Sequence, residues 1–520
     1  MTPHTIHHYT ASLIAAATLS LTGARAQAAP GDLDTTFGGT GAVTTAIGTT
    51  AFAAGVALQS DGKILVAAGS SNASGADFAV ARYTTTGSLD TSFGGTGKVI
   101  VDFAARGDYG GSIAIQADGK IVLGGSVSTS LSPRPGIARL NPNGSLDTIF
   151  GGTGKVIGEV GSGIESVAVQ SDGKIVATGG ASGSLLLMRV NPNGSLDTTF
   201  GGTGSVITPG GHGSGVAVQS DGKIIVASQT GFTVARYLSN GTLDTTFGGT
   251  GTVTSIAARG VVLQGDGKIV VAGGEPVSAF AAARYNTNGT LDTSFGGSGV
   301  VTTSFTLPAT GNSVALQSDG RIVVAGVLGD GAITSNGNYA LVRYNSNGSL
   351  DTSFGSAGRL VTDVTGFSDS AEGVKVQSDG KIVAAGTSYV SAQPGAASQL
   401  SVVRYLGGSG APQPDLQVTN IVVTKDASVR KLATITATIA NPGTAPANTS
   451  QATFKVGTTT IGTVVTPAIA AGWQVNVSIS WNQKGLKRGT HVLSVTADAT
   501  NVVPESNEAN NTRQATAIIP

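Results

Sequence analysis

Apolar residues fall in short runs separated by polar tips. "VALQSDGKILVAAG" (56–69) carries two runs around Asp-Gly, and "FAVARY" (78–83) is a third. Runs of this length bounded by turn residues predict strands. Two runs around Asp-Gly predict a tight hairpin, and a type I′ turn, with φ > 0 at both central positions, suits that pair. The third run leads into a second kind of tip, "NPNG" at 141–144. There Pro presets φ at the second turn position and Gly takes the left-handed one. This predicts a type I turn closed by a Gly bulge, a three-residue hairpin loop. "SLDTSF" (88–93) then reads as a fourth strand.

The pattern recurs. "LDTTFGGTG" or a variant starts at Leu33, Leu89, Leu146, Leu196, Leu243, Leu291 and Leu350, a mean step of about 53 residues. "QSDGK" or a variant starts at Gln59, Gln116, Gln170, Gln219, Gln264, Gln317 and Gln377. Several short strands per unit at a period near this length are the signature of a β-propeller. Four strands per unit and seven units predict an all-β chain with a seven-bladed propeller over 31–406. A three-residue loop pairs residues eight apart: Arg82 with Asp90, Arg139 with Asp147, Arg189 with Asp197, Arg236 with Asp244, Arg284 with Asp292 and Arg343 with Asp351. Opposite charges facing across an antiparallel pair are favourable, so these residues read as a structural clamp. Arg404 has no such partner downstream, and the first phrase (31–41) has no strand before it. The two remainders fit one another. Asp34 is expected to face Arg404 and Leu33 to face Tyr405, with the N-terminal strand closing the ring as the outer strand of the last blade.

Beyond the ring, "GGSGAPQP" (407–414) reads as a linker. Residues 415–520 alternate in strands of six to eight and suggest an immunoglobulin-like sandwich. Trp473 and Trp481, the only tryptophans, are expected to pack at its core or edge.

Composition narrows the function. Charged residues are 12% and formal net charge is zero, which argues against a nucleic-acid partner. Residues 11–24 are mostly small and apolar and precede Ala-x-Ala sites ending at Ala26 and Ala28, so 1–28 reads as a secretory signal peptide, although no Lys or Arg precedes the apolar stretch. No later stretch is apolar enough for a spanning helix. The expected location is secreted: extracellular, at the cell surface or in the periplasm. The chain has no Cys, so packing alone must hold it.

Candidate chemistry is sparse. Only His212 and His491 lie beyond the leader, in different domains, and neither advertises triad or zinc partners. There are six Glu, and the turn aspartates Asp61, Asp118, Asp172, Asp221, Asp266, Asp319 and Asp379 repeat once per blade, as structural residues do. "FGGTG" lacks the Lys-Ser/Thr of a phosphate loop and reads as a tight turn leading to the next blade. Asp498, Glu505, Asn507, Glu508 and Asn510 are oxygen-rich enough for Ca²⁺, but their spacing is not that of an EF-hand, and an acidic hairpin tip is the plainer reading. No catalytic residue, metal or cofactor is implied.

The unit "LDTTFGGTG…VQSDGKIVVAGG…ARYNPNGSLDTTFG" resembles the bacterial delta-60 repeat, a β-propeller repeat, over 31–406. The tail resembles CARDB, a family named for cell adhesion in bacteria. The matching stretches are "PDLQVTNIVV", "IANPGTAPA" and "GTHVLSVTADATNVVPESNEANNT". Neither resemblance supplies a catalytic residue. The connections that vary between units, longest at 126–136, 327–338 and 387–399, should share one propeller face. The expected function is a non-enzymatic binding or adhesion protein whose variable face takes an extracellular protein or glycan. The alternatives are an exported enzyme acting on polysaccharide and a purely structural envelope component.

Overall fold

The computed structural model describes residues 29–519 apart from 73–74, 104–106, 130–131, 232–233, 276–278, 330–336, 394, 409–413, 426–430, 443–445, 471, 485, 500–501 and 504–509. The predicted leader and most of the predicted linker therefore lie outside the described residues. Seven four-stranded antiparallel sheets form the seven blades of a propeller. In the first blade the strands run, from the axis outward, Thr50–Leu58, Ile64–Asn72, Gly75–Tyr83 and Lys98–Val101. Among the described residues the fold is almost wholly β, interrupted by one 3₁₀ turn, Phe150–Gly152. Among the described residues no helix is long and apolar enough to cross a membrane.

Two local readings change. The Gln-Ser-Asp-Gly-Lys hairpin is not a type I′ turn. Gly62 has φ +81° while Asp61 keeps a negative φ, and the Gly62 amide bonds to the Gln59 carbonyl at 2.9 Å. This is a three-residue loop with a Gly bulge, and the Asp61 carboxylate fixes it by accepting from the Lys63 amide. The second hairpin has the same build: Gly144 has φ +92°, and its amide bonds to Asn141 O at 2.9 Å.

The second change concerns the outer strand. "SLDTSF" is not a strand. Only its Leu bridges the third strand, as Leu89 does to Tyr83. The chain then leaves the sheet for the Phe-Gly-Gly-Thr-Gly turn and returns as Lys98–Val101. The backbone of Arg82 spans the excursion. Its carbonyl accepts from the Asp90 amide and its amide donates to the Gly97 carbonyl, both at 2.9 Å. The turn expected to lead to the next blade is thus a loop inside one strand.

Ring closure uses both ends of the propeller segment. Ala42–Thr45 pairs with Ser398–Tyr405 as the outer strand of the last blade, and Leu33 bridges Tyr405. The hairpin turn between them is assembled from two pieces. Gly31 N donates to Leu406 O, and Leu406 N donates to Asp32 O. Gly144 and Asn141 make the same pair of bonds inside one continuous turn, with Ser145 in the place of Asp32.

The apolar core is distributed between blades. Seven clusters each draw on two neighbouring blades, and the one between the last and first blades combines Val383 and Val402 with Val56 and Val66. The C-terminal unit is a separate sandwich. A three-stranded sheet (Gln417–Lys425, Leu432–Ala440, Gln474–Asn482) faces a four-stranded one (Thr459–Thr466, Ser450–Val456, Gly489–Thr496, Thr512–Ile519). Ile435, Phe454, Trp481 and Leu493 fill its core. Trp473 does not pack there; it is 71% exposed.

The chain has no native cysteine, so Leu33→Cys with Tyr405→Cys tests closure cleanly. Facing residues bring Cβ atoms to about 4.5–5.5 Å, near disulfide reach. Mild oxidation should give an intramolecular crosslink, seen on mass spectrometry of a proteolytic digest. Crosslinks found only between chains would contradict the closure.

Candidate functional site

The repeated charges are concentrated in one constellation per blade. Each clamp Arg lies opposite its Asp: Arg139 Nε to Asp147 at 2.8 Å, Arg189 to Asp197 at 2.7 Å, Arg236 to Asp244 at 2.8 Å, Arg284 to Asp292 at 2.7 Å and Arg343 to Asp351 at 2.8 Å. Arg82 pairs with Asp90 at 2.9 Å, and Arg404 with Asp34 at 2.8 Å. Each guanidinium also lies over the buried Phe of its own excursion, from Phe37 under Arg404 to Phe354 under Arg343, 4.4–4.8 Å from the ring centre.

Sequence register did not reveal the third arm of the clamp. A terminal guanidinium nitrogen donates to a turn carbonyl of the next blade: Arg82 to Pro142, Arg139 to Pro192, Arg189 to Ser239, Arg236 to Thr287, Arg284 to Ser346 and Arg343 to Gly407. Arg404 completes the circle by donating to Thr85 of the first blade. The following Tyr reaches the other way. Tyr237 OH lies 2.7 Å from Thr208 of the preceding blade, and Tyr344 OH lies 2.7 Å from Thr303. The turn aspartates are engaged as well: Asp61, Asp118, Asp172, Asp221, Asp266, Asp319 and Asp379 each pair with the cation two residues on.

All seven clamp carboxylates are held below the usual carboxylate pKa. At Asp90 the Ser92 hydroxyl leads and brings it to about 2. At the other six, burial is the largest single influence and opposes ionisation. It is outweighed by the Arg and, at all but Asp147, by the hydroxyl two residues on.

A second constellation lies on the axis. Each of the seven inner strands carries a β-bulge at the same place: the register shifts between Ala53 and Gly55, Gly110 and Ser112, Ile164 and Ser166, Gly213 and Gly215, Ala258 and Gly260, Gly311 and Ser313, and Ala371 and Gly373. Bulges re-aim side chains. The seven bulged residues, in blade order Ala54, Gly111, Glu165, Ser214, Arg259, Asn312 and Glu372, line one axial cavity of about 400 Å³. Lys375 also lines it, three residues nearer the hairpin face than Glu372. Glu372 is held on both oxygens: Ser370 Oγ donates at 2.6 Å and Asn312 Nδ2 at 3.1 Å. Burial pushes its pKa up, against the Ser370 hydrogen bond and the field of Arg259. Lys375 meets water along the bore yet has protein on all sides, and that burial pushes its pKa down. The signal for this ring was available in the sequence. It is the one position, five before each Gln of the first hairpin, that varies freely in chemistry while its neighbours stay small or apolar.

The remaining sequence candidates are dispersed. The three long variable connections are shorter than expected, because strands Ile121–Ser128 and Pro133–Leu140 consume most of 126–136, and strands also enter 327–338 and 387–399. Residues 330–336 lie outside the described residues, as do Glu505, Asn507 and Glu508. Asp498 caps its own loop, accepting from the Val502 and Val503 amides, and Asn510 donates to Asp415. His212 is half-buried, and His491 shares a 2.8 Å contact with Lys487 O. Asp77, Asp102 and Asp108 bring carboxylate oxygens within 4.8 Å of one another. Asp108 closes a blade-to-blade connection by accepting from the Phe103 amide, as Asp369 does from Val364.

Fold and clamp together define a repeat-built seven-bladed propeller joined to a β-sandwich. Seven segments, 59–93, 116–150, 170–200, 219–247, 264–295, 317–354 and 377–408, match the family described as "Domain of unknown function (DUF5122) beta-propeller", and 413–515 match CARDB. The chain thus carries seven repeats of the DUF5122 β-propeller type and a C-terminal CARDB domain, in line with both resemblances read from the sequence. None of the curated proteins matches the chain. Among solved structures, a CARDB domain from Pyrococcus furiosus, in complex with di-metal ions, is 21% identical over 21% of this chain and 96% of its own, with a TM-score of 0.19. A putative cell surface protein domain from Methanosarcina acetivorans is 27% identical over 20% of this chain and 91% of its own, with a TM-score of 0.19. A glucose dehydrogenase is 11% identical over 71% of this chain and 99% of its own, with a TM-score of 0.34. At these TM-scores the likenesses carry no functional information.

Two outcomes follow from the clamp. A carboxylate whose folded pKa is depressed contributes stability that is present above its unfolded value, near 3.9, and is lost as pH falls through the folded one. The melting temperature should hold from pH 7 to about 5 and fall between about pH 4 and 2; a profile flat to pH 2 would contradict the shifts. Arg139→Met, by circular dichroism melts at pH 7, should cost roughly 3 kcal/mol, since it leaves Asp147 buried without its guanidinium.

Proposed function

We propose that the chain is a non-catalytic binding protein of the cell surface or exterior. Its propeller takes an extracellular protein or glycan on the face opposite the hairpin tips, and the CARDB domain serves as a spacer or adhesion module. The observation that carries this reading is the engagement of the repeated carboxylates. All fourteen hairpin and clamp aspartates sit in ion pairs. A polysaccharide hydrolase needs two acids with separated pKa values, free to face the substrate, and such paired groups are unsuited to that work. The hairpin face is nearly identical from blade to blade, whereas the opposite face differs at every connection, and recognition in repeat proteins resides in such differences. The combination of propeller repeats with a CARDB domain supports a cell-surface setting.

The test is a glycan array and a hydrolase panel on the full chain and on a variant with 330–336 and 391–396 each replaced by Gly-Ser-Gly. The array should show binding that the variant loses, with its melting temperature within a few degrees of the parent, and the panel should stay silent. Hydrolase activity, or glycan binding that survives both replacements, would contradict the reading.

A further inference from the structure

The axial ring goes beyond that reading, because it lies deep among the inner strands rather than on the variable loops. Most charged residues of the propeller belong to the repeated clamp and turns. Glu165, Arg259, Glu372 and Lys375 do not, and all four line the same cavity. Glu372 is satisfied by Ser370 and Asn312. Among the described residues, Glu165, Arg259 and Lys375 have no ion-pair partner within 4 Å, although every clamp Arg has one. Glu165 and Arg259 are solvent-exposed within the bore, so each is open to a ligand group of opposite charge.

The arrangement around the axis is also asymmetric. Three consecutive blades present, at one bulge level, a carboxylate (Glu165), a hydroxyl (Ser214) and a guanidinium (Arg259). The Ser214 proton is directed at the backbone, 2.7 Å from Ala258 O, which leaves its oxygen able to accept from a ligand. Two further blades contribute only Ala54 and Gly111 at that level, which leaves room beside the charged arc. At about 400 Å³ the cavity falls within the range of small-molecule sites and is too small for a polymer segment of any length.

We propose that the axial cavity binds a small zwitterion of the α-amino acid class. The ligand's carboxylate lies on the Arg259 guanidinium, with Lys375 adding positive potential from the hairpin side. Its ammonium lies on Glu165, beside the Ser214 oxygen. A cavity that presents a carboxylate and a guanidinium two blades apart, neither in an ion pair, selects for a molecule that carries both charges.

The experiment is titration calorimetry of the full chain with each of the twenty L-amino acids at millimolar concentration, followed by the amine-free carboxylate matching the best binder. At least one amino acid should bind. Arg259→Gln and Glu165→Gln should each weaken it about tenfold or more, and the amine-free analogue should bind the parent protein about tenfold less well. Neither residue belongs to the clamp, so melting temperatures should match the parent and exclude misfolding as the cause. The proposal is overturned if no amino acid binds or if both variants bind as the parent does. Equal binding of the amine-free analogue would also overturn it, since the site would then be a plain carboxylate site.

Discussion

The guanidinium of the clamp Arg is the point on which the propeller depends. One side chain closes a hairpin against Asp, covers the Phe that anchors the excursion, and takes a carbonyl of the next blade. Arginine suits this task because its planar fork offers several donors in fixed directions while its face stacks on an aromatic ring; lysine offers a point charge. A buried ion pair alone is a poor source of stability, because desolvation consumes much of the attraction. Here the same desolvated cation also registers one blade against the next, and specificity of assembly is the better account of its sevenfold use.

The residue after each Arg extends the same logic backward. Tyr237 and Tyr344 lock onto the preceding blade by their hydroxyls, so an Arg-Tyr dipeptide grips both neighbours at once. The second and third blades carry Leu140 and Val190 there and have only the forward grip. At this position these two blades are joined to the blade before them by apolar packing.

Much of this was legible in the sequence, and the boundary of legibility has a physical cause. Arg139 and Asp147 could be paired by counting, because a hairpin with a known loop length leaves no freedom of register. Ring closure was legible because Arg404 and Asp34 were each one half of a motif otherwise repeated whole. The Arg139–Pro192 bond was not legible, since spacing along one chain says nothing about how adjacent blades abut. Phe-Gly-Gly-Thr-Gly was misplaced because a Gly-rich turn has the same composition whether it joins two strands or interrupts one. The bulge ring was missed for the opposite reason: attention to what repeats hides the single position that does not.

The split turn has a consequence for biogenesis. Asp34 and Arg404 are 370 residues apart, so the propeller's first stretch must wait for almost the whole propeller to be synthesised before it finds its place. Contacts of such separation are slow to form and leave an open strand edge in the meantime. During that wait the last blade's edge would accept the same segment from another chain as readily as its own. Fidelity of closure therefore rests on local concentration: tethered ends meet far more often than separate molecules do, until the protein is crowded enough at its site of folding for the two rates to converge.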